Sequence, residues 1–383
     1  MKSRDGTMDY VNRFYISSLL HIAFYSGFYQ IYLQSLGLSK AQIGLLIGLS
    51  LILVALLEVP TGVVADKVSK KASVLISKAL TIPNVLVLYL AHSFPEVLLA
   101  TLFGALSLAF LTGAETGWVY ELLSRSGRAG EYPKVYGRLR SFEMLGGFAG
   151  TIAGGFLAGF LGMRATILLT VPFIVASFLV LATIPGDTAK SGLSYGLHLW
   201  ESLKFIRKSP EVMRLLLYAN VIGLPVTAFT AFMQLYFYGF LASVMAVSAI
   251  SALHTAINSA SWFFDAGRYR EVLYRYAWII LSFVLLLAGL NEWFGFVALT
   301  LGTFTFAQAF KEWQGRFQAT VPDEKRATLG SLYSLIAAVT NGVLNTLLGH
   351  LFDLVGIMRG LVAAALFFLG VGFLFSIADR KHD

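Results

Sequence analysis

Residues 41–71 read AQIGLLIGLSLILVALLEVPTGVVADKVSKK. From Ala41 to Ala65 the only ionisable group is Glu58, and the run then closes on Asp66, Lys67, Lys70 and Lys71. A bilayer requires about 20 apolar residues per crossing helix. A helix with no polar face also satisfies its own backbone hydrogen bonds where no water is available. The stretch therefore reads as a membrane span that ends in a carboxylate and a basic turn at the surface.

Comparable runs recur along the chain. The spans fall at 10–36, 41–65, 72–92, 95–123, 134–161, 163–185, 211–240, 243–266, 271–290, 293–320, 327–355 and 358–379. Hydrophobic residues make up 57% of 383 positions and charged residues 13%, more apolar surface than a soluble core can use. The reading is an all-α polytopic membrane protein with 12 transmembrane helices. Orientation follows from the basic residues. With a cytoplasmic N-terminus, the inner segments collect Lys67, Lys70, Lys71, Lys78, Arg138, Arg140 and many more, against Lys40, Arg164 and Arg359 outside. Both termini are then cytoplasmic, and the expected location is the cell membrane, in contact with the lipid bilayer. The net charge of +8 is this bias written into composition and needs no nucleic-acid partner. Met1–Asp9 is polar and leads straight into the first span, unlike a cleavable signal peptide. With no cysteine, disulfides and thiolate metal sites are excluded.

The longest connector, 186–209, marks a halfway boundary between bundles 1–185 and 210–383. FYQIYLQ at Phe28–Gln34 is echoed by FMQLYFY at Phe232–Tyr238, and Gly162-Met163-Arg164-Ala165 by Ile357-Met358-Arg359-Gly360. Asp66 before Lys67, Lys70 and Lys71 is echoed by Asp265 before Arg268 and Arg270. Each echo keeps its place within its half, which points to two six-helix pseudo-repeats. Transporters built on such repeats place their substrate near the midplane and rock open to each side in turn.

The stretch Glu58–Lys71 resembles the loop-two-to-three signature (G-x-x-x-D-[RK]-x-x-[RK]-[RK]) of the major facilitator superfamily, preceded by the Glu-Pro-Thr-Gly pattern of many prokaryotic members. Gly113–Glu121 (GAETGWVYE) and Val321–Thr328 (VPDEKRAT) are similar to stretches of the same group. The sequence departs from the pattern at Lys71, where a glycine is usual, and at Ser261, which stands where Gly62 stands in the first half. The resemblance implies the major facilitator fold, with spans one, four, seven and ten lining a cavity. It further implies gating residues: Gly62 at a close helix approach, Asp66 as acceptor of a charge relay, Lys67 beside it, Arg138 or Arg140 as donor, and Asp265 as counterpart in the second half. A plainer alternative makes Asp66 a helix-end residue in the headgroup region. The fifth span carries Gly146, Gly150 and Gly154 in a spacing similar to that of drug-exporting antiporters, with Thr151 where their proline stands. Small residues every fourth position also let two helices approach closely, whatever the direction of transport.

Ionisable residues at membrane depth are costly and are candidates for function. Glu58 lies about 12 Å deeper than Asp66 at 1.5 Å per residue. Glu115 lies at similar depth in the fourth span, flanked by Thr112 and Trp118 and projecting away from Gly113 and Gly117. In the tenth span Gln308, Lys311, Glu312 and Gly315 form a polar stripe opposite Phe310, Trp313 and Phe317. The first span aligns Ser18, His21, Tyr25 and Tyr32, and Thr227 adds a hydroxyl in the seventh. Aromatic rings and hydroxyls of this kind hold amphipathic organic molecules. Proton-coupling candidates are Glu115, Glu58, Glu312 and His21. The substrate-cavity candidates are Ser18, His21, Tyr25, Thr112, Glu115, Trp118, Thr227, Gln308, Lys311 and Glu312.

No metal-ligand spacing, phosphate-binding glycine loop or nucleophilic triad is visible, so neither a cofactor nor an enzymatic activity is expected. The leading expectation is a monomeric secondary transporter working by alternating access, a proton-coupled exporter of small amphipathic compounds. The alternative within the class is a carrier of a specific metabolite, organic anion or lipid-like molecule. Outside the class stands a non-transporting receptor or scaffold on the same fold.

Overall fold

Backbone groups that meet lipid must be satisfied within the segment that carries them, which leaves the helix as the element for apolar runs of this length. The computed structural model describes residues 2–186 and 209–380, and every regular element among them is helical. The expected connector lies outside the described residues except for Gly186 and Ser209, and so does the Asp66 side chain.

Span one consists of α1 (Lys2–Leu19) and α2 (Tyr29–Ser35), and spans two and three are α3 (Lys40–Lys67) and α4 (Lys70–Leu90). Span four is α5 (Phe94–Leu111) with α6 (Ala114–Arg125), and span five is α7 (Tyr132–Leu161). Span six joins α8 (Met163–Leu168) to α9 (Thr170–Ala182) through Leu169, whose backbone stays helical. Span seven is α10 (Pro210–Thr230) with α11 (Met233–Leu241), followed by α12 (Val244–Phe263) and α13 (Arg270–Leu290). Span ten passes through a 3-10 turn (Glu292–Phe294) and a π segment (Ala298–Gly302) into α14 (Thr303–Thr320). Spans eleven and twelve are α15 (Asp323–Val355) and α16 (Ile357–Arg380). Ten segments are long and apolar enough to cross a membrane on their own criteria; the first and eighth spans complete the twelve.

The interruptions follow a pattern. The first and fourth spans of each half are broken, at residues 20–28, at Thr112–Gly113, at Ala231–Phe232 and by the π segment. Broken helices in a membrane are tolerated where neighbours re-satisfy the freed backbone.

The sequence echoes mark equivalent pieces of structure. Phe28 and Phe232 immediately precede α2 and α11, with φ, ψ of −136°, 15° and −126°, 14°. Both rings are fully buried. The Tyr32 hydroxyl donates to Leu88 O at 2.9 Å, and the Tyr236 hydroxyl donates to Ala288 O at 2.8 Å. Gly162 and Gly356 end α7 and α15 with φ of 81° and 83°, the left-handed region that glycine enters without strain.

Contacts divide the described chain into two units. The first holds α1, α2, α3 from Leu53, α4 to α9, and Ser243–Ala252 of the eighth span; the second holds Leu38–Ile52 and the remaining described elements. Within the second unit, the Asp353 carboxylate accepts from the N–H groups of Lys40 and Ala41 at 2.9 and 2.8 Å, capping the start of α3. Gly44 and Gly48 there leave no room for a Cβ against the backbone of Asn345 and Gly342.

In the first unit the glycines of α7 receive the unwound part of span one. Cβ atoms at Gly146 and Gly154 would fall inside the van der Waals shells of Leu19 O and Phe24 O, and one at Gly150 would lie 2.9 Å from Ile22 Cγ2. The freed polar groups find side chains. Phe24 N donates to Thr170 Oγ1 at 3.3 Å, and the Ser26 and Thr151 hydroxyls share a bond of 2.7 Å. Thr151, standing where the antiporter signature has proline, thus holds the unwound segment. Gly62 behaves differently: a Cβ there meets nothing within 4 Å among the described residues, so close approach is not required at that position in this conformation.

These contacts lead to a prediction. Gly154→Ala should destabilise the protein by about 1–3 kcal/mol, the usual cost of overpacking. Gly159→Ala, on the same helix but with nothing within 4 Å of its Cβ, should be near neutral. Thermal unfolding of both variants in detergent checks this, and equal midpoints would sink the docking role of Gly154.

Candidate functional site

The break in span four is built by the residues of the Glu-Pro-Thr-Gly motif. At Gly113 the backbone turns to φ 77°, so α5 ends and its last carbonyls lose their helical partners. The Thr61 hydroxyl lies 2.8 Å from both Leu57 O of its own helix and Ala109 O, and Ser73 donates to Phe110 O at 2.7 Å. Two hydroxyls, one from α3 and one from α4, therefore complete the ladder that the break leaves open. Glu58 lies one turn before Thr61, and the Thr112 hydroxyl at the break donates to Leu108 O at 2.9 Å. The new helix, α6, starts at Ala114 and carries Glu115 in its first turn. The exposed N–H groups and dipole of a helix start favour a carboxylate at that position.

Glu115 does not stand alone. Its charge interacts with Lys78 of α4 and with Arg140 and Glu143 of α7, and Lys78 and Arg140 in turn act on His21 in the unwound segment of span one. Arg140 and Glu143 form an ion pair at 2.5 Å, with the Arg140 Nε also donating to the Tyr136 hydroxyl at 3.0 Å. The other three are different. Among the described residues the side chains of His21, Lys78 and Glu115 make no hydrogen bond and no ion pair. Glu115 is half-buried, His21 is open to the space beside it, and Lys78 is only 8% exposed.

Lys78 and Glu143 were not among the sequence candidates. Lys78 counted as one more basic residue of an inner loop, whereas the structure buries it eight residues into α4, about 12 Å from its start at 1.5 Å per residue. The signal was its position inside the apolar run of span three. Glu143 was legible as the i+3 partner of Arg140.

Other expected residues take structural places. Trp118 is 1% exposed, stacks edge-on to Phe14 at 4.8 Å and donates its indole N–H to Pro185 O at 3.0 Å, so it belongs to the core rather than to a cavity wall. Ser18 is buried, and Tyr25 lies against Tyr29 with ring centroids 6.0 Å apart. Arg138 faces the Tyr15 hydroxyl, and Lys67 is exposed. In the second unit, the buried Gln308 donates to Ser261 O at 2.8 Å and to Phe264 O at 3.1 Å, while its own carbonyl accepts from Ala266 N at 3.1 Å. Lys311 Nζ donates to the same two carbonyls at 3.1 and 2.6 Å. The polar stripe of span ten thus caps the C-terminal end of α12. Glu312 pairs with Arg316 at 3.0 Å, and Arg316 also pairs with Glu271. Asp265 bonds Gly267 N at 2.9 Å and Arg270 at 3.2 Å, and Thr227 is half-buried in α10.

A chain of twelve spans in two repeats, each with its first and fourth helix broken and, in the first, with charged side chains beside those breaks that make no ion pair among the described residues, has the build of a secondary transporter. The sequence matches the Major Facilitator Superfamily over residues 14–344, and the chain belongs to that family. No curated protein matches it. Among solved structures it is similar to the nucleoside transporter NupG, with 16% identity, coverage of 96% of this chain and 98% of that one, and a TM-score of 0.77. A bacterial homologue of the human lysosomal transporter Spinster, in an inward-facing and unoccupied conformation, gives 16% identity, 99% and 97% coverage and a TM-score of 0.75. A POT family transporter in complex with a thioalcohol-conjugated peptide gives 11%, 98% and 95%, and 0.69. At these identities the likeness is one of fold.

Thr61→Val removes the hydroxyl that reaches Ala109 O and should cost about 1–3 kcal/mol. Thr61→Ser should keep most of that stability. Unfolding midpoints of the two variants decide it, and a Val variant as stable as wild type would show that Ala109 O does not need the hydroxyl.

Proposed function

We propose that this secondary transporter is proton-coupled, that Glu115 is the carboxylate that carries the proton, and that the cargo is a small amphipathic organic compound. The observation that carries the reading is Glu115 itself: a half-buried carboxylate at the start of α6, without a hydrogen-bond partner among the described residues and within electrostatic reach of Lys78. A proton carrier must be reachable by water in one state and be balanced by a nearby charge when it gives the proton up. An acid locked in a permanent ion pair, as Glu143 is with Arg140, lacks that freedom. The rings of Tyr25 and Tyr29 beside the His21 segment suit the apolar part of such a cargo.

Export was the direction implied by the glycine spacing of span five. Gly146, Gly150 and Gly154 are engaged in docking Leu19–Phe24, so their spacing has a packing origin that is independent of direction. Direction is instead decided by which way protons move with the cargo.

Glu115→Gln keeps shape and removes the titratable group. In proteoliposomes with an imposed pH gradient, the variant should lose accumulation of cargo against its gradient while downhill exchange persists. Accumulation at the wild-type level would move coupling to Glu58, Glu312 or His21. The charge bias of the loops adds an expectation of both termini on the cytoplasmic side of the cell membrane. A reporter fused after Asp383 should be active inside the cell, and activity outside would invert the topology.

A further inference from the structure

Among the described residues, Lys78 makes no bond that would give it a structural task. The half-buried lysines near the ends of the described spans each have one. Lys70 pairs with Glu121 at 3.1 Å, Lys71 caps α9 through Ala182 O and Ile184 O at 2.8 and 2.6 Å, and Lys311 caps α12. Lys78 is more deeply buried than these and makes neither a hydrogen bond nor an ion pair among the described residues. Holding an ammonium group at membrane depth without a hydrogen-bond partner is costly even where the group keeps some exposure. A membrane protein that retains one has a use for it.

The groups that face it define that use. They come from three other elements: His21 from the unwound segment, Glu115 from α6, and Glu143, with its partner Arg140, from α7. Arg140 and Glu143 neutralise each other. What remains is one cation and one carboxylate close enough to feel each other's charge and not joined. We infer that Lys78 is the substrate-recognition cation of this transporter and receives a single carboxylate group of an amphipathic organic acid. The inference rests on the proposed role of Glu115 and extends it.

The charge balance then sets the coupling. With the site empty, ionised Glu115 offsets Lys78. When a substrate carboxylate reaches Lys78, two negative charges face one positive, and a proton taken from water onto a Glu115 carboxylate oxygen restores neutrality. Substrate and proton cross together, and on release the proton returns to water. One lysine matches one negative charge, so a monoanion fits and a doubly charged phosphate ester leaves an excess. The sense of coupling is symport, in which proton and acid move in the same direction.

The test uses the full-length protein and matched compounds. A panel of aryl and alkyl scaffolds, each as carboxylate, primary amide, primary amine and phosphate monoester, is screened by thermal stabilisation of the purified protein. The best-bound carboxylate is then taken into proteoliposomes containing a pH-sensitive dye. Carboxylates should dominate the hits, and their downhill movement should carry protons the same way. Lys78→Gln should weaken carboxylate binding about tenfold to a hundredfold, the worth of a charge-assisted hydrogen bond, and leave the matched amide unchanged. Lys78→Arg should restore much of the carboxylate affinity. Preference for amines, amides or phosphate esters, no bound carboxylate in the panel, or full carboxylate affinity in the Gln variant each overturns the inference. Proton movement opposite to the acid does the same, and that measurement on wild type holds even if the Gln variant fails to fold. Glu115→Gln separates the two readings. Carboxylate binding retained with proton movement lost supports both. Binding and proton movement both retained would remove Glu115 from coupling and leave Lys78 in place.

Discussion

In the bilayer no backbone N–H or C=O can be left without a partner, and among its described residues this chain breaks its helices at four places where that rule is hardest to meet. Much of the packing in the first unit follows from meeting it. The carbonyls freed at Thr112–Gly113 are taken by Thr61 and Ser73, and the segment at residues 20–28 is held by Thr170, Thr151 and the bare backbone of the α7 glycines. Hydroxyls and glycines are the tools because both act at short range and need little volume. Side chains of the same kind also tie α4 to α5, where Ser107 donates to Ser77 O at 2.8 Å and Asn84 donates to Ala100 O at 2.7 Å.

A break is also where chemistry becomes available. A helix interior directs its polar backbone groups along its own axis and presents only side chains. A helix start in mid-membrane presents free N–H groups and the positive end of a dipole, and Glu115 sits at such a start. That placement lets a carboxylate remain at membrane depth without a permanent ion pair, which is the condition for it to exchange a proton. The motif residues Glu58 and Thr61 support this site from below. The Thr61 hydroxyl reaches Ala109 O, a contact that shapes the break.

Fold and site were unequally legible in the sequence. Apolar run length and loop charge marked all twelve spans, because lipid thickness and backbone satisfaction act on each segment separately. The Phe28 and Phe232 echoes carried the repeat, since each starts the second piece of a broken span with nearly the same backbone geometry. The breaks were not legible. None falls at a proline, and what stabilises residues 20–28 is the glycine face of a helix more than a hundred positions away. Burial was equally hidden: Trp118 looked like a wall residue beside Glu115, while its indole N–H reaches Pro185, a partner no periodicity in span four announces.

The lysines show most directly what sequence alone leaves open. Lys71, Lys78 and Lys311 are all cations near or inside apolar runs, and helical spacing treats them alike. Lys71 and Lys311 meet the carbonyls at the ends of α9 and α12, where an ammonium group completes a helix that would otherwise expose its last acceptors. Substituting either would disturb the fold first and transport only through it. Lys78 faces no helix end and is matched by no acceptor among the described residues, so its cost is not offset within the structure described. On the proposed reading, a cation balanced by a carboxylate that can itself be neutralised by a proton has two occupancies: empty beside an ionised Glu115, or filled beside a protonated one. It is that two-valued balance, rather than any single residue type, on which the proposal for the cluster in the first unit turns.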